Sequence, residues 1–340
     1  MEALLARGHV VHYLAVVPFP IEHPNCHFHR FPWPANKTSG YLFWGFFHLV
    51  APFQLLFTGI RCKVDRVFAF GHSYSLLLQP LRILRRVPLT VFFRGDAIRS
   101  HTLTGRPNWL VTLELFLEGP AISKTRFYGV SATLSDVIIK RHRWFQPVTR
   151  DTLANDIREP ETSASGRKKT SSPMRLGCVG MIEKRKNPQL LIEMMKKIPA
   201  DRAQLCFYGT GPAEKELLES IGQADLEDRV FFMGWTEAEQ IWPQVDLLLM
   251  PSFHEGAPNA VLEAIGHGVP VLASDIPEHG EILPASPLLP TDNPDAWSRA
   301  VIKTMDNPDK CLPEMQEVQK KSAERLFFDW DEKISRLICG

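Results

Sequence analysis

Two glutamates eight positions apart, Glu255 and Glu263, lie in the segment PSFHEGAPNAVLE, directly after the apolar run DLLLM. A buried strand, a small-residue turn and a helix in that order bring a loop carboxylate and a helix carboxylate to one crevice at the carboxyl end of a sheet. Between them Gly256, Ala257, Pro258 and Asn259 carry little bulk, so backbone N–H groups at the helix start can approach a ligand. Unpaired donors and the positive end of the helix dipole suit a phosphate. A helix carboxylate can accept two hydrogen bonds from a ribose diol, and a loop carboxylate can hold sugar hydroxyls. One anion site between two hydroxyl acceptors matches a nucleotide sugar.

The elements that must position these residues are legible around them. Short apolar runs (MRLGCVG, QLCFYG, RVFFMG, DLLLMP, VPVLAS) alternate with helical patterns such as NPQLLIEMMKKI, PAEKELLESI and NAVLEAIGHG. Strands that are apolar throughout and separated by amphipathic helices predict a parallel sheet covered on both faces, a doubly wound α/β domain. Pro188 and Pro212 are placed for first helical turns, Thr236 with Glu239 reads as a capping box, and Gly268 follows the helix of Glu263.

A chain of 340 residues exceeds one comfortable core. The polar stretch 158–173 (REPETSASGRKKTSSP) reads as a linker. The expected domains are therefore residues 1–157, an acceptor-side Rossmann-like unit, and 174–322, the ligand-binding unit. In the first, VVHYLAVV, VDRVFAF, PLTVFF and TRFYGVS read as strands, and Ser131 as a helix cap. It starts inside a helix, MEALLARG, so the opening strand and glycine turn expected of a doubly wound domain are lacking; a truncated chain or mis-assigned start is the expectation, against a variant fold beginning at that helix.

The formal net charge of +1 hides an asymmetry: residues 1–150 carry 18 Lys+Arg against 7 Asp+Glu, and residues 151–340 carry 21 against 31. The basic half should face something anionic. Tyr41–Ile60 is 20 residues without Lys, Arg, Asp or Glu; a surface helix on membrane or acceptor, a buried helix and a membrane span all stay open, with Pro52, Gln54 and His48 against crossing. The flanking Arg30, Lys37, Arg61 and Lys63 suit peripheral contact with anionic headgroups. Six scattered cysteines without a CxxC pair read as reduced thiols of a cytoplasmic protein. The cluster His23–Cys26–His27–His29 lacks zinc-ligand spacing and reads as a loop, so no metal is expected. GTGP at 209–212 lacks the GxGxxG spacing of an NAD site, and the basic residues form no nucleic-acid motif.

The stretch from Asp246 to Leu283, with GCVGMIEKRKNPQLLIE, LCFYGTGPAEKELLE and DRVFFMGW in order before it, resembles the donor-binding signature of the retaining family 4 glycosyltransferases (glycosyl transferases group 1) over about Met174–Pro284. The resemblance implies a GT-B fold: α/β, two Rossmann-like doubly wound domains facing a cleft. It implies transfer of a hexose from a nucleotide diphosphate sugar, UDP-sugars preferred, to a saccharide or lipid-linked saccharide hydroxyl, with retention of configuration, no cofactor and no metal. Polysaccharide or lipopolysaccharide biosynthesis is the implied setting, without nucleic acid. Carried over by position, Glu255 would contact the transferred sugar, Gly256 to Asn259 the sugar and diphosphate, Glu263 the ribose, and Gly234 and Trp235 the base. Lys186 and Arg185 would neutralise the leaving diphosphate. FFDWDEKISRLI, within residues 323–340, would cross back to the first domain.

Two departures from the pattern are visible. Gly180 is followed by Met181 where the family commonly has Arg, and the glycine-containing first loop would precede Met1. Both favour the alternative of a non-catalytic nucleotide-sugar-binding relative that regulates or scaffolds. In FFRGDAIRSH, Arg94 aligns with a family histidine near the reacting sugar, and it or Asp96 could face the acceptor. Bland readings remain beside each: a helix-start acid for Glu255, a solvated helix residue for Glu263, a charge run for Arg185 and Lys186, and strand-end packing for Trp235.

Overall fold

The computed structural model describes every residue except 35–37, 39, 104, 159–171 and 340. Most of the expected linker, and Lys37, lie outside the described residues. The first half contains α1 (Glu2–Leu5), β1 (Val11–Ala15), β2 (Cys26–Arg30), α2 (Tyr41–Arg61), β3 (Val67–Phe70), α3 (Gly71–Arg85) and β4 (Leu89–Phe93). It continues with α4 (Ala97–Leu103), α5 (Asn108–Ile122), β5 (Arg126–Gly129), α6 (Ala132–Arg141) and β6 (Thr149–Thr152). The strands form a parallel sheet in the order β3-β4-β5-β6 and a separate parallel pair, β1-β2. Thus α1 leads straight into β1, and the first domain's strands divide between two sheets. Every side chain of β4 is buried, as its unbroken apolar sequence requires.

The second half contains β7 (Met174–Val179), α7 (Pro188–Met195), β8 (Ala203–Tyr208), α8 (Glu214–Gln223), β9 (Val230–Gly234), α9 (Ala238–Ile241), β10 (Leu247–Met250) and α10 (Asn259–Gly266). Then come β11 (Val271–Ala273), α11 (Pro277–Ile282), α12 (Pro294–Asp306), α13 (Pro308–Ser322) and α14 (Trp330–Cys339). The sheet is parallel throughout, in the order β11-β10-β7-β8-β9. The chain builds outward from β7 to β9, then returns to lay β10 on the other side of β7. The carboxyl ends of β7 and β10 therefore flank a topological switch point, where open α/β sheets bind ligands. Two apolar layers cover the sheet, one around Leu191, Leu205 and Trp297 and the other around Leu248, Val261 and Ala323.

Helix α14 packs on the first domain: Ile334 joins the core of Phe92, Phe93 and Phe127, and Arg66 donates to the Ile338 carbonyl at 2.7 Å. Ser131 caps α6 by accepting from the Leu134 N–H at 3.1 Å, and Pro188 opens α7. Gly268, at φ 65°, takes the left-handed turn after α10.

Three local expectations differ, and one strand is additional. Thr236 forms no capping box: α9 begins after Glu237, and the Thr236 hydroxyl lies 3.4 Å from the carbonyls of Met233 and Gly234. Pro212 precedes the cap of α8, Ala213, and is outside the first turn. The segment holding Cys26, His27 and His29 is strand β2, not a loop. Strand β6 was not visible in the sequence pattern, because TRDT is a polar edge.

Candidate functional site

Glu255 sits in the loop between β10 and α10, and the 3-10 turn Lys184–Lys186 follows β7. Their chain ends adjoin, so the two loops meet. The Phe253 N–H donates to the Arg185 carbonyl at 2.9 Å, and Asn187, at φ 54°, donates to the carbonyls of Pro251 (3.2 Å) and Thr291 (2.8 Å). This frame places the Glu255 carboxylate, 4% exposed, against two cations. Lys186 Nζ donates to Oε1 at 2.7 Å, Arg185 donates to Oε2 at 2.9 Å, and the Ser252 hydroxyl adds a bond to Oε1 at 2.7 Å. Burial alone would push the Glu255 carboxyl up, but Lys186, Arg185 and the Ser252 hydroxyl outweigh it and hold it at about 2. At neutral pH Glu255 is an acceptor of hydrogen bonds and a poor general base.

Arg185 also bonds Glu183 at 2.6 Å and the His254 carbonyl at 2.7 Å. Two carboxylates and two cations balance, leaving a preorganised, neutral cluster. Gly180, at φ 130°, ends β7 beneath it; a Cβ there would touch Lys186 Nζ at 3.6 Å. Met181, which replaces the Arg common to the family pattern, is exposed.

Beyond Glu255 the chain is free of side-chain bulk. Among the described residues, the N–H groups of Gly256 and Ala257 donate to no backbone carbonyl, and α10 begins at Asn259, after Pro258 at its N-cap, without a side-chain cap. These are donors available to an anion at a helix N-terminus. Asn259 accepts from the Asn155 amide, which joins this turn to the end of the first domain. Gly256 fits a tight approach between the halves, since a Cβ would stand 2.2 Å from the Arg94 carbonyl oxygen.

Glu263 is exposed on α10. Its carboxyl is nonetheless held above the ordinary range, first by partial desolvation and then by the charge of Glu239 on α9. Glu239 acts on His267 as well, so α9 and α10 face each other electrostatically. Trp235 lies between β9 and α9 and is 74% exposed. Gly234, at φ 67°, accepts from the Gly209 N–H at 2.7 Å, which draws the end of β9 toward β8. The residues assigned to sugar, diphosphate, ribose and base thus follow one edge of the sheet, on the loops after β10, β7 and β9 and on α10.

On the first domain, Arg94 is exposed at the end of β4 and its backbone touches Gly256. Asp96 is placed differently. It is buried and gripped by Arg141, and it accepts from the Arg99 N–H at 3.1 Å at the start of α4. Burial raises its carboxyl, but Arg141 and the Arg99 N–H outweigh this and hold it low. Its partners make Asp96 a positioning group for the 94–99 turn. Arg141 also pairs with buried Glu118 at 3.0 Å, and His142 with the same carboxylate at 2.7 Å.

Several groups in the cleft had no signal in the local sequence. Glu281 of α11 accepts from the N–H groups of Ala132 (3.0 Å) and Thr133 (3.2 Å), so a second-domain carboxylate caps the first-domain helix α6. Arg99 reaches Glu278 and the Phe253 carbonyl, each at 3.4 Å, and buried His254 lies 3.3 Å from Glu278. His279, buried behind Glu255, bonds Ser274, and Ser274 donates to the Ser252 carbonyl at 2.6 Å. These pairs join residues 22 to 179 positions apart or only five apart inside a fold-made pocket, and no periodicity encodes them.

Comparison with known proteins agrees with this geometry. Residues 173–307 match the family of glycosyl transferases group 1. Over its whole length the fold is similar to sucrose-phosphate synthase from Thermosynechococcus elongatus, with a TM-score of 0.77 and 19% identity, covering 99% of this chain and 90% of that one. The chain is 27% identical over 232 residues to the amylovoran biosynthesis glycosyltransferase AmsK of Erwinia amylovora, 62% of this chain and 53% of that protein. It is 26% identical over 179 residues to the GtfA subunit of a UDP-N-acetylglucosamine–peptide N-acetylglucosaminyltransferase from Streptococcus pneumoniae, 48% of this chain and 35% of that protein. The chain thus spans between about a third and a half of these two relatives. The fold is GT-B, and residues 173–307 are similar to the glycosyl transferases group 1 family.

Proposed function

We propose that this chain transfers a hexosyl group from a nucleoside diphosphate sugar to a hydroxyl of a saccharide or lipid-linked saccharide, with retention of configuration. The observation that carries the proposal is Glu255 held between Arg185 and Lys186 at the switch point, with open backbone donors and Glu263 along the same turn and helix. In this reading Glu255 accepts from hydroxyls of the sugar, Gly256 and Ala257 donate to the diphosphate, and Glu263 accepts from the ribose beside Gly234 and Trp235. Lys186 and Arg185 stabilise the negative charge that develops on the diphosphate as its bond to the anomeric carbon breaks. In this reading the ionised Glu255 carboxylate, already paired with Lys186 and Arg185, accepts hydrogen bonds and does not serve as the base for the acceptor hydroxyl. A UDP-sugar donor is supported by the name of the pneumococcal relative, and cell-surface polysaccharide synthesis by that of AmsK. Lipopolysaccharide assembly is the same chemistry on a lipid-linked acceptor. No step in this scheme calls on a cofactor or a metal.

The acceptor side supports peripheral contact with anionic membrane from the cytoplasmic side. Helix α2 buries Phe43 and Ala51 but presents Leu42, Leu49, Phe53 and Phe57, 63 to 86% exposed, along its other face. Leu42–Arg61 is long and apolar enough to cross a bilayer by length and composition. Packing of its inner face on α3 and on Phe31 supports lying in the interface instead. Arg30, Arg61 and Lys63 flank it. Flotation with anionic vesicles should carry the protein upward, and Phe53→Asp with Phe57→Asp should abolish this.

The test of transfer is nucleoside diphosphate release from UDP-, GDP- and ADP-hexoses, with and without saccharide acceptors, followed by determination of the product's anomeric configuration. Acceptor-dependent release supports the proposal. Donor binding without release or transfer would favour the silent relative, to which exposed Met181 after Gly180 points.

A further inference from the structure

The parallel pair β1-β2 brings together side chains that the sequence scatters. His12 stands opposite His27 in register, and His29 lies two residues further on, opposite Leu14. Side chains alternate along a strand and paired residues share a face, so His12, His27 and His29 lie on one face of the pair, and Cys26 on the other. Helix α2 ends at that face. Its cap residue, Cys62, is pinned by its N–H donating to the Thr58 carbonyl at 2.9 Å.

His12 Nδ1 and His29 Nε2 are 3.0 Å apart, and the Cys62 sulfur lies within 4.8 Å of both. All three residues are half-buried and Cys62 is a free thiol. His27 stacks on the His12 ring with centroids 4.8 Å apart and so fixes its orientation. We propose that His12, His29 and Cys62 form a binding site for a zinc-class divalent d-block ion, with two imidazole nitrogens, one thiolate and a fourth position open to water.

A tetrahedral zinc ion sits ~2.0 Å from nitrogen and ~2.3 Å from sulfur, which spaces its ligands roughly 3.3–3.6 Å apart. The two ring nitrogens, 3.0 Å apart, stand a few tenths of an ångström inside that spacing, and the Cys62 sulfur lies within 4.8 Å of both. The nitrogen and thiolate set selects zinc, cobalt or copper over magnesium and calcium. Ion binding would release the Cys62 proton, replace the ring-to-ring hydrogen bond and clamp the end of α2 to the strand pair. This site is independent of the donor cleft.

The test is cobalt(II) and zinc(II) titration of the untagged, chelator-treated full chain. The expected result is one ion per chain, tetrahedral cobalt d–d bands with a near-ultraviolet thiolate charge-transfer band, and a zinc-dependent rise in Tm. Cys62→Ser should remove the charge-transfer band, and His29→Ala should weaken binding at least tenfold, with the circular dichroism of both variants like that of the wild type. Cys26→Ser and His23→Ala, which alter neighbours in sequence outside the trio, should leave the spectrum unchanged. No stoichiometric cobalt binding by the folded chain, an unchanged spectrum in Cys62→Ser, or a spectrum lost in Cys26→Ser would overturn the assignment.

Discussion

Replacing Lys186 and replacing Glu255 should move nucleotide affinity in opposite directions. Glu183, Arg185, Lys186 and Glu255 form a cluster whose charges sum to zero. Lys186→Met leaves it at −1 and Glu255→Gln at +1, each facing an incoming diphosphate. One unit charge about 6 Å from a phosphate, at an effective dielectric constant of about 20, contributes about 3 kcal/mol, roughly 100-fold in affinity. The Lys186 side chain is only 15% exposed, so solvent screening reduces this modestly. Lys186→Met should therefore weaken UDP binding about 30- to 100-fold. Glu255→Gln should hold or tighten UDP but lose roughly 10-fold in preference for a UDP-sugar over UDP, the value of one charge-assisted hydrogen bond. The double variant should bind UDP within about 10-fold of the wild type if the charge balance governs affinity. Isothermal titration at fixed ionic strength, with circular dichroism to establish folding, measures all four proteins. UDP affinity of Lys186→Met within threefold of the wild type, or a parallel loss in both single variants, would refute the reasoning.

Gly256→Ala should drive a Cβ into the Arg94 carbonyl at 2.2 Å, costing about 1–3 kcal/mol and appearing as a larger radius of gyration in solution scattering. Glu281→Ala removes the cross-domain cap of α6; a loss of about 1 kcal/mol in urea unfolding is expected, restored in part by Glu281→Asp. Glu263 is held above the ordinary carboxyl range, so the folded state takes up its proton more readily than the unfolded chain. Its carboxylate therefore costs stability above the folded pKa, and the cost disappears as pH falls. Glu263→Gln should raise Tm at pH 7, less at pH 4, while weakening nucleotide binding. In the wild type, UDP affinity should fall on acidification at a higher pH than for an ordinary carboxylate, and Glu239→Gln should lower that midpoint.

The second domain was legible because its strands are buried on both faces and its helices are amphipathic, so composition alone separates them. Glu255 and Arg185–Lys186 occupy loops at the ends of such strands, and Glu263 lies on the helix that follows, where local pattern predicts their position. The first domain was harder to read. CHFHR alternates histidines instead of aliphatic side chains, so β2 resembles a loop in sequence, and His12 and His29 meet Cys62 only through the strand pair and the end of α2. Asp96 shared a turn with Arg94, but only the fold places Arg141 over it. Glu278 and Glu281 act across the cleft on residues about 150 or more positions away, and their roles exist only after both domains have folded.

The most direct test of the donor-site assignment is calorimetric titration of UDP, GDP, ADP and NAD into the wild-type chain and into Glu263→Ala. One nucleoside diphosphate should bind with a stoichiometry of about one per chain, NAD should not, and the variant should lose about 1.5–3 kcal/mol of that affinity, the value of hydrogen bonds to a charged group. A folded chain that binds none of them, or a Glu263→Ala variant that binds as the wild type does, would contradict the account.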